Sequence, residues 1–95
     1  MNITVSAIRC ALQVALLGSI TPNLRAINAN LKEDILELFF YYETPPSEDE
    51  EDLSEIVVTE LYSDFINISI TTHKIVLALS EKIPNIGLRI FHRKE

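Results

Sequence analysis

The side chains that could perform catalysis or bind a metal are few and unsuited in spacing to either task. His73 and His92 are the only histidines, and each lies on a predicted strand without a Cys, Asp or Glu at metal-site spacing. The chain has no G-x-S-x-G turn, no glycine-rich phosphate loop and no H-E-x-x-H motif. Cys10 lies in an apolar helical run, which favours a small core residue over a reactive thiol. We therefore expect neither an enzyme nor a bound cofactor.

Carboxylates are the one reactive group that the sequence concentrates. Residues 44–66 contain eight Asp and Glu and no Lys or Arg, in a chain of net charge −6. Such a surface repels nucleic acid and anionic lipid and attracts basic partners, so we exclude direct nucleic-acid binding. The acids Glu48, Asp49, Glu51, Asp52 and Glu55 have two interpretations. They are either a solvated face that interacts with a helix dipole or a binding site for a basic partner.

The acidic run lies at the start of a helix whose beginning the sequence marks clearly. Glu43–Pro46 ends the preceding strand, and Ser47 and Glu50 have the S-x-x-E spacing of a capping box. A stripe of apolar residues follows at helical spacing: Leu53, Val57, Leu61 and Phe65. These positions predict a helix that packs one face on a core, turns its carboxylates to solvent and ends near Ile66.

The run Ile35–Tyr42, ILELFFYY, predicts the central strand of a sheet, because it is the longest aromatic and β-branched stretch in the 95 residues. Its even-numbered residues Leu36, Leu38, Phe40 and Tyr42 would share the core face. Residues 24–31 precede it across a short polar loop and predict an antiparallel hairpin, with Arg25, Ile27, Ala29 and Leu31 on one face. Residues 67–74 and 88–93 predict two further strands. Residues 75–79 either extend the third strand or belong to the connection, and residues 80–87 predict a loop around Pro84.

Together with a first helix over residues 5–17, these elements predict one α+β domain spanning residues 1–95. We expect the order αββαββ, with a four-stranded antiparallel sheet and both helices on one face. The opposite face would then be open, with Glu37, Phe39, Tyr41 and Phe91 on it. Aromatic residues in a polar frame favour a second candidate partner-binding surface, although cross-strand aromatic pairs also stabilise open sheets.

The first helix is apolar around most of its circumference and needs cover on more than one side. The sheet and the second helix can supply this cover, or a second copy can do so in a homodimer through residues 5–17. We expect no membrane association, because no stretch reaches 18 uncharged apolar residues. The N-terminal run also lacks a basic segment before it and contains Arg9, which argues against export.

Several short segments resemble a group of small bacterial proteins of this length and element order: Thr21-Pro22-Asn23-Leu24-Arg25-Ala26, Phe40-Tyr41-Tyr42, Thr59-Glu60, Asp64-Phe65 and Arg93-Lys94-Glu95. The group is similar to immunity proteins of polymorphic toxin systems, in particular those of contact-dependent growth inhibition. The resemblance implies a cytoplasmic protein that binds a cognate toxin domain, often a nuclease, and masks its active or substrate-binding surface. It transfers no individual site residue.

Three functional hypotheses are distinguishable by simple observations. A toxin reading frame beside the gene would favour the immunity protein. A stable dimer without such a neighbour would favour a homodimeric, non-catalytic adaptor. A deep polar pocket would be needed for an enzyme acting on small molecules.

Overall fold

Two helices and four strands follow one another in the predicted order αββαββ in the computed structural model, which describes residues 5–16, 18, 20–65 and 67–94. The elements are α1 (Val5–Ala15), β1 (Leu24–Lys32), β2 (Ile35–Tyr42), α2 (Glu48–Asp64), β3 (Ser69–Val76) and β4 (Leu88–His92). The predicted helix ends at Leu17 and Ile66 lie outside the described residues. Neither described helix is long and apolar enough to cross a membrane.

The four strands form one mixed sheet in the order β3-β2-β1-β4. The β1–β2 hairpin is antiparallel, as predicted, and β4 pairs antiparallel with the other side of β1. The prediction of a wholly antiparallel sheet is wrong, because β3 runs parallel to β2. α2 has 17 residues and therefore spans about 25 Å, close to the length of β2, so it returns the chain to the start of β2. There, the Ser69 N–H donates to the Asp34 carbonyl at 2.8 Å.

The main core lies between the helices and one face of the sheet, which we call the inner face. Both helices contribute to the same cluster, in agreement with the predicted placement. It contains Ile8, Leu12, Ala15 and Leu16 of α1, Val57 and Leu61 of α2, and Ile27, Ala29, Leu36, Leu38, Phe40 and Tyr42 of the hairpin. The even-numbered residues of β2 thus face the core because side chains alternate along a strand.

α1 buries one face only, and the cover comes from within the chain. Ile8, Leu12 and Ala15 recur at helical spacing and are buried against the core, whereas Val14 is 65% exposed. The expectation that Cys10 is a core residue is wrong, because Cys10 is exposed on the side of α1 away from this stripe.

The outer face of the sheet is partly covered by the connection between β3 and β4, residues 77–87, which we call the crossing segment. It passes over β1: the Asn28 amide donates to the Pro84 carbonyl at 2.9 Å, and the buried Arg25 guanidinium donates to the carbonyls of Leu77, Ala78 and Glu81. The predicted loop around Pro84 is confirmed, and the possible extension of the third strand beyond Lys74 is limited to residues 75 and 76. The sheet is nevertheless not open on its whole outer face.

Arg25 reaches the crossing segment because β1 is irregular at its start. Leu24 pairs with Tyr42 and Ala26 with Tyr41, so Arg25 is an extra residue opposite no partner. Such a bulge changes the alternation of side chains. The prediction that Arg25 shares a face with Ile27 and Ala29 is therefore wrong.

Candidate functional site

The N-terminus of α2 is held in place by the predicted capping box. The Ser47 hydroxyl accepts from the Glu50 N–H at 3.2 Å, and the Glu50 carboxylate accepts from the Ser47 N–H at 3.1 Å. Glu50 also accepts hydrogen bonds from the Thr21 hydroxyl and the Asn23 amide. This carboxylate therefore ties the loop before β1 to the start of α2 and has a structural role.

The protonation of Glu50 reflects these contacts. Burial alone raises the pKa of this carboxyl group, but the hydrogen bonds from Thr21, Ser47 and Asn23 outweigh burial and leave the pKa below its usual value. Burial, followed by the nearby charges of Glu50 and Glu51, raises the pKa of Tyr42 to about 12. Glu50 is accordingly negative and Tyr42 neutral at physiological pH.

The remaining acids at the start of α2 divide into two groups. Glu48, Asp49 and Asp52 are exposed, and no cation in the described chain lies within ion-pair distance of them. Glu51 and Glu55 instead lie 4.0 and 3.6 Å from the Lys74 ammonium of β3. We call the exposed group of Glu48, Asp49 and Asp52 the acidic surface. At the start of the helix, this is the group whose carboxylates are available to a partner.

The second candidate surface lies on the outer face, where β2 and β3 run side by side beyond the crossing segment. The parallel register places Phe39 opposite His73 and Glu37 opposite Thr71. The Phe39 and His73 rings stack with centroids 4.8 Å apart and planes inclined by 15°. The His73 Nε2 lies 3.1 Å from a carboxylate oxygen of Glu37. We call Glu37, Phe39 and His73 the ring surface.

Two of the aromatic residues predicted for this surface are not open to a partner. Tyr41 stacks with Phe39 at 6.5 Å but is 0% exposed, and its hydroxyl lies near the Asn28 amide that bonds to Pro84 of the crossing segment. Burial raises the pKa of its hydroxyl, against the opposing effects of the Arg89 charge and the Asn28 amide. Tyr41 therefore packs inside the protein and presents no ring to a partner.

Phe91 lies on the inner face rather than the outer face. A second bulge, between Ile27 and Asn28 in the pairing of β1 with β4, makes Ile90 an extra residue and shifts the alternation after Arg89. Phe91 consequently pairs with Ile27 and packs against the main core, partly buried. The placement of Phe39, Tyr41 and Phe91 on one open surface is wrong, and Phe39 alone remains there.

His73 is the residue of the ring surface that the sequence did not identify as a candidate. The alternation of β3 correctly predicted that it points to the outer face. Its position beside Phe39 and Glu37 depends on the parallel register with β2, which alternation within one strand does not specify. Lys74, the next residue, reaches Glu51 and Glu55 on the inner side, so β3 borders both candidate surfaces.

The described residues include no group of three or more His, Cys, Asp or Glu side chains arranged to hold a metal ion. His73 and Glu37 form a pair, and the acids of α2 spread along an exposed helix. What the two surfaces present is therefore charge, a stacked ring pair and hydrogen-bonding groups, which are the means of recognising another macromolecule.

Comparison with known protein families gives a match over almost the whole chain. A family model described as MafI2 immunity protein matches residues 5–95. A comparison with functionally characterised proteins gives no match.

Proposed function

This chain belongs to the MafI2 immunity protein family, and an immunity protein implies a cognate toxin as its partner. We propose that the protein neutralises this toxin by masking a basic substrate-binding surface. A nuclease is the class of toxin that this mechanism fits best, because nucleases present cations to the phosphate backbone. Carboxylates placed in the same field would compete with the nucleic acid and hasten encounter with the toxin. In this proposal the protein acts by binding alone, without catalysis.

The observation that carries the proposal is the set of unpaired carboxylates on α2. Glu48, Asp49 and Asp52 are exposed and have no described cationic neighbour, although Lys74 on the adjacent strand pairs with Glu51 and Glu55. Carboxylates in a first helical turn interact favourably with the helix dipole, but one capping residue, Glu50, already serves the helix start. The remaining like charges repel one another, and a basic partner would relieve this repulsion.

The ring surface is a second candidate for the interface. The Phe39 and His73 rings form a flat, partly exposed stack beside the Glu37 carboxylate. Aromatic residues that become fully buried in an interface act mainly on the dissociation rate, whereas exposed charges act mainly on association. We propose that both surfaces contact the toxin and that they contribute in these different ways.

Two further parts of the proposal concern where the protein acts and how the toxin arrives. The protein would act in the cytoplasm of the cell that it protects, and contact-dependent growth inhibition would be the route by which the toxin arrives. The alternative, a homodimeric adaptor that pairs through residues 5–17, would use the side of α1 that carries Val14. Light scattering on the purified protein separates this alternative from a monomer.

The decisive experiment measures binding to the purified cognate toxin domain, which would first be sought among the reading frames that adjoin the gene. We would change Glu48→Gln, Asp49→Asn and Asp52→Asn together, which leaves Ser47 and Glu50 to cap the helix. We expect at least a tenfold lower association rate at low salt, with unchanged thermal unfolding. Binding of the unchanged protein should also slow as salt is added, because screening acts over about 8–10 Å.

A matched control removes the same number of charges elsewhere. The control variant carries Glu33→Gln, Asp34→Asn and Glu81→Gln, which all lie outside α2 and have exposed side chains. If the two triple variants lose association rate equally, net charge alone explains the effect. A folded acidic-surface variant with unchanged rate and unchanged salt dependence would refute the role of α2 and leave the ring surface as the candidate.

A further inference from the structure

β3 is an edge strand that lacks most of the features by which edge strands are protected. Its eight residues pair with β2 in unbroken register, from Ser69 opposite Ile35 to Val76 opposite Tyr42. β3 has neither proline nor bulge, whereas β4 at the other edge has five residues and pairs irregularly near Ile27. Short length, proline and bulges commonly stop edge strands from pairing with other chains. β3 is thus a regular template for a further strand.

The hydrogen bonds at the two ends of β3 show which backbone groups point to the free edge. The Ser69 N–H donates to Asp34 at 2.8 Å and the Leu77 N–H donates to Tyr42 at 2.7 Å, so odd-numbered residues face β2. The Ile70 N–H points the other way and donates to the Tyr62 hydroxyl of α2 at 3.1 Å. Because successive residues alternate, Thr72, Lys74 and Val76 direct their N–H and C=O groups to the edge. No further strand in the described chain pairs with them.

Two features protect this edge: Tyr62 of α2 occupies the Ile70 N–H at the start of β3, and Lys74 lies further along the strand. The charge of Lys74 is neutralised within the protein. An inward-pointing lysine commonly opposes pairing at an edge because a new strand would bury its charge. Here Lys74 already lies 3.6 Å from Glu55 and 4.0 Å from Glu51, and its side chain is mostly buried. The carboxylates of Glu51 and Glu55 therefore neutralise the Lys74 charge, so that a strand added at the edge would not bury an unpaired charge.

The charges beside the edge specify the kind of segment that fits. α2 lies along β3 on the inner side, as the Tyr62–Ile70 and Glu55–Lys74 contacts show. This helix carries eight carboxylates and no Lys or Arg. Alternate side chains of an added strand would point towards these carboxylates, which favours Lys or Arg at those positions. The other side chains would lie beside Thr71 and His73 on the outer face.

Resting on the proposed binding of a toxin, we infer that a basic, extended segment of the toxin pairs with the free edge of β3 as a fifth strand of the sheet. Main-chain hydrogen bonds to Thr72, Lys74 and Val76 supply the pairing, and the carboxylates of α2 select basic side chains. This arrangement also explains how one partner reaches both the acidic surface and the ring surface, because β3 runs between them.

Hydrogen exchange in the complex tests the pairing residue by residue. The probe is the same purified cognate toxin domain, at saturating concentration. We expect exchange at the amides of Thr72, Lys74 and Val76 to slow at least tenfold on binding. The amides of Thr71 and His73 face β2 and should be protected already in the free protein. Unchanged exchange at all three edge amides in a complex that forms would overturn the inference.

A substitution at the edge gives an independent measurement. Thr72→Pro removes an N–H that does not bond to β2, and proline is tolerated on edge strands where its missing N–H faces solvent. Thr72→Ala is the matched control, since it alters the side chain and keeps the N–H. We expect the proline variant to bind at least tenfold more weakly and the alanine variant to bind within twofold of the unchanged protein. Equal affinities of two folded variants would contradict the pairing.

The outcomes separate this inference from the proposed function. If the unchanged protein does not bind the probe, both fall together. If it binds and the edge amides exchange as before, only the pairing falls. If the free protein is a dimer whose edge amides are already protected, a second copy occupies the edge and the inference is overturned. Should Thr72→Pro unfold the protein, hydrogen exchange decides alone.

Discussion

Replacing Arg25 with Ala should destabilise this protein more than any other single arginine substitution among its described residues. Arg25 is 3% exposed, and its guanidinium donates to the carbonyls of Leu77, Ala78 and Glu81 at 3.1, 2.8 and 3.0 Å. These bonds join the first strand of the sheet to a segment more than 50 positions later. The substitution would remove a buried charged donor and leave several carbonyls of the crossing segment without it.

The magnitude follows from the number of bonds and their charge. Hydrogen bonds to charged groups contribute about 1.5–3 kcal/mol each, but bonds to one side chain do not add fully. The substitution leaves neutral carbonyl acceptors rather than an unpaired charge, so we take about 3 kcal/mol, twice the lower value for one such bond, as the expected loss. For a domain of this length, 3 kcal/mol lowers the melting temperature by at least about 12 °C.

Urea denaturation provides the measurement, and Arg9→Ala provides the control. Arg9 is exposed on α1, so its loss should change the free energy of unfolding by less than about 0.5 kcal/mol. Because the crossing segment covers Tyr41, we also expect faster amide exchange around Tyr41 in the Arg25 variant. A loss below about 1 kcal/mol for Arg25→Ala would show that the crossing segment is held by packing rather than by these bonds.

Two other predictions concern the core and the start of α2. Phe40→Ala should lower the free energy of unfolding in denaturant by about 3–5 kcal/mol, because Phe40 is 2% exposed in the main core. Phe39→Ala should lower it much less, because Phe39 is only partly buried. Equal losses would contradict this assignment of the two faces. The folded-state pKa of Glu50 is lowered, so its charge stabilises the fold above the ordinary value of 4.5 and this contribution is lost as pH falls below it. Unfolding free energies measured from pH 6 to pH 3 should therefore fall more steeply for the unchanged protein than for Glu50→Gln, and parallel curves would refute the assignment.

Local patterns predicted most elements of this fold because each is specified by neighbouring residues. The capping box at Ser47 and Glu50 places the start of α2, and the boundaries of Ile35–Tyr42 match the central strand. Residues 69–76 form the third strand, which extends two residues beyond the predicted Lys74. In each case the determining interactions lie within one turn or one strand.

The errors arose where a distant interaction decides the outcome. The parallel pairing of β3 depends on the path of α2, which single-strand alternation does not encode. The burial of Tyr41 depends on the crossing segment, whose Pro84 accepts from Asn28 across 56 positions. The inward orientation of Phe91 depends on a bulge at Ile90, and a bulge moves every later side chain to the other face. These distant interactions therefore remove Tyr41 and Phe91 from the open surface, whereas the exposure of Glu48, Asp49 and Asp52 follows from local helix periodicity.

α2 separates the residues that hold the fold from the residues that can meet a partner. Glu50 accepts hydrogen bonds from the Thr21 and Asn23 side chains, and Val57 and Leu61 pack in the core. The acidic surface, in contrast, makes no described ion pair within the protein. Substitution of an exposed helix residue typically changes stability little, so these three positions can change without loss of the fold. If the acidic surface contacts the toxin as proposed, its charges could be altered to match a new toxin while the capping box and the core stay the same.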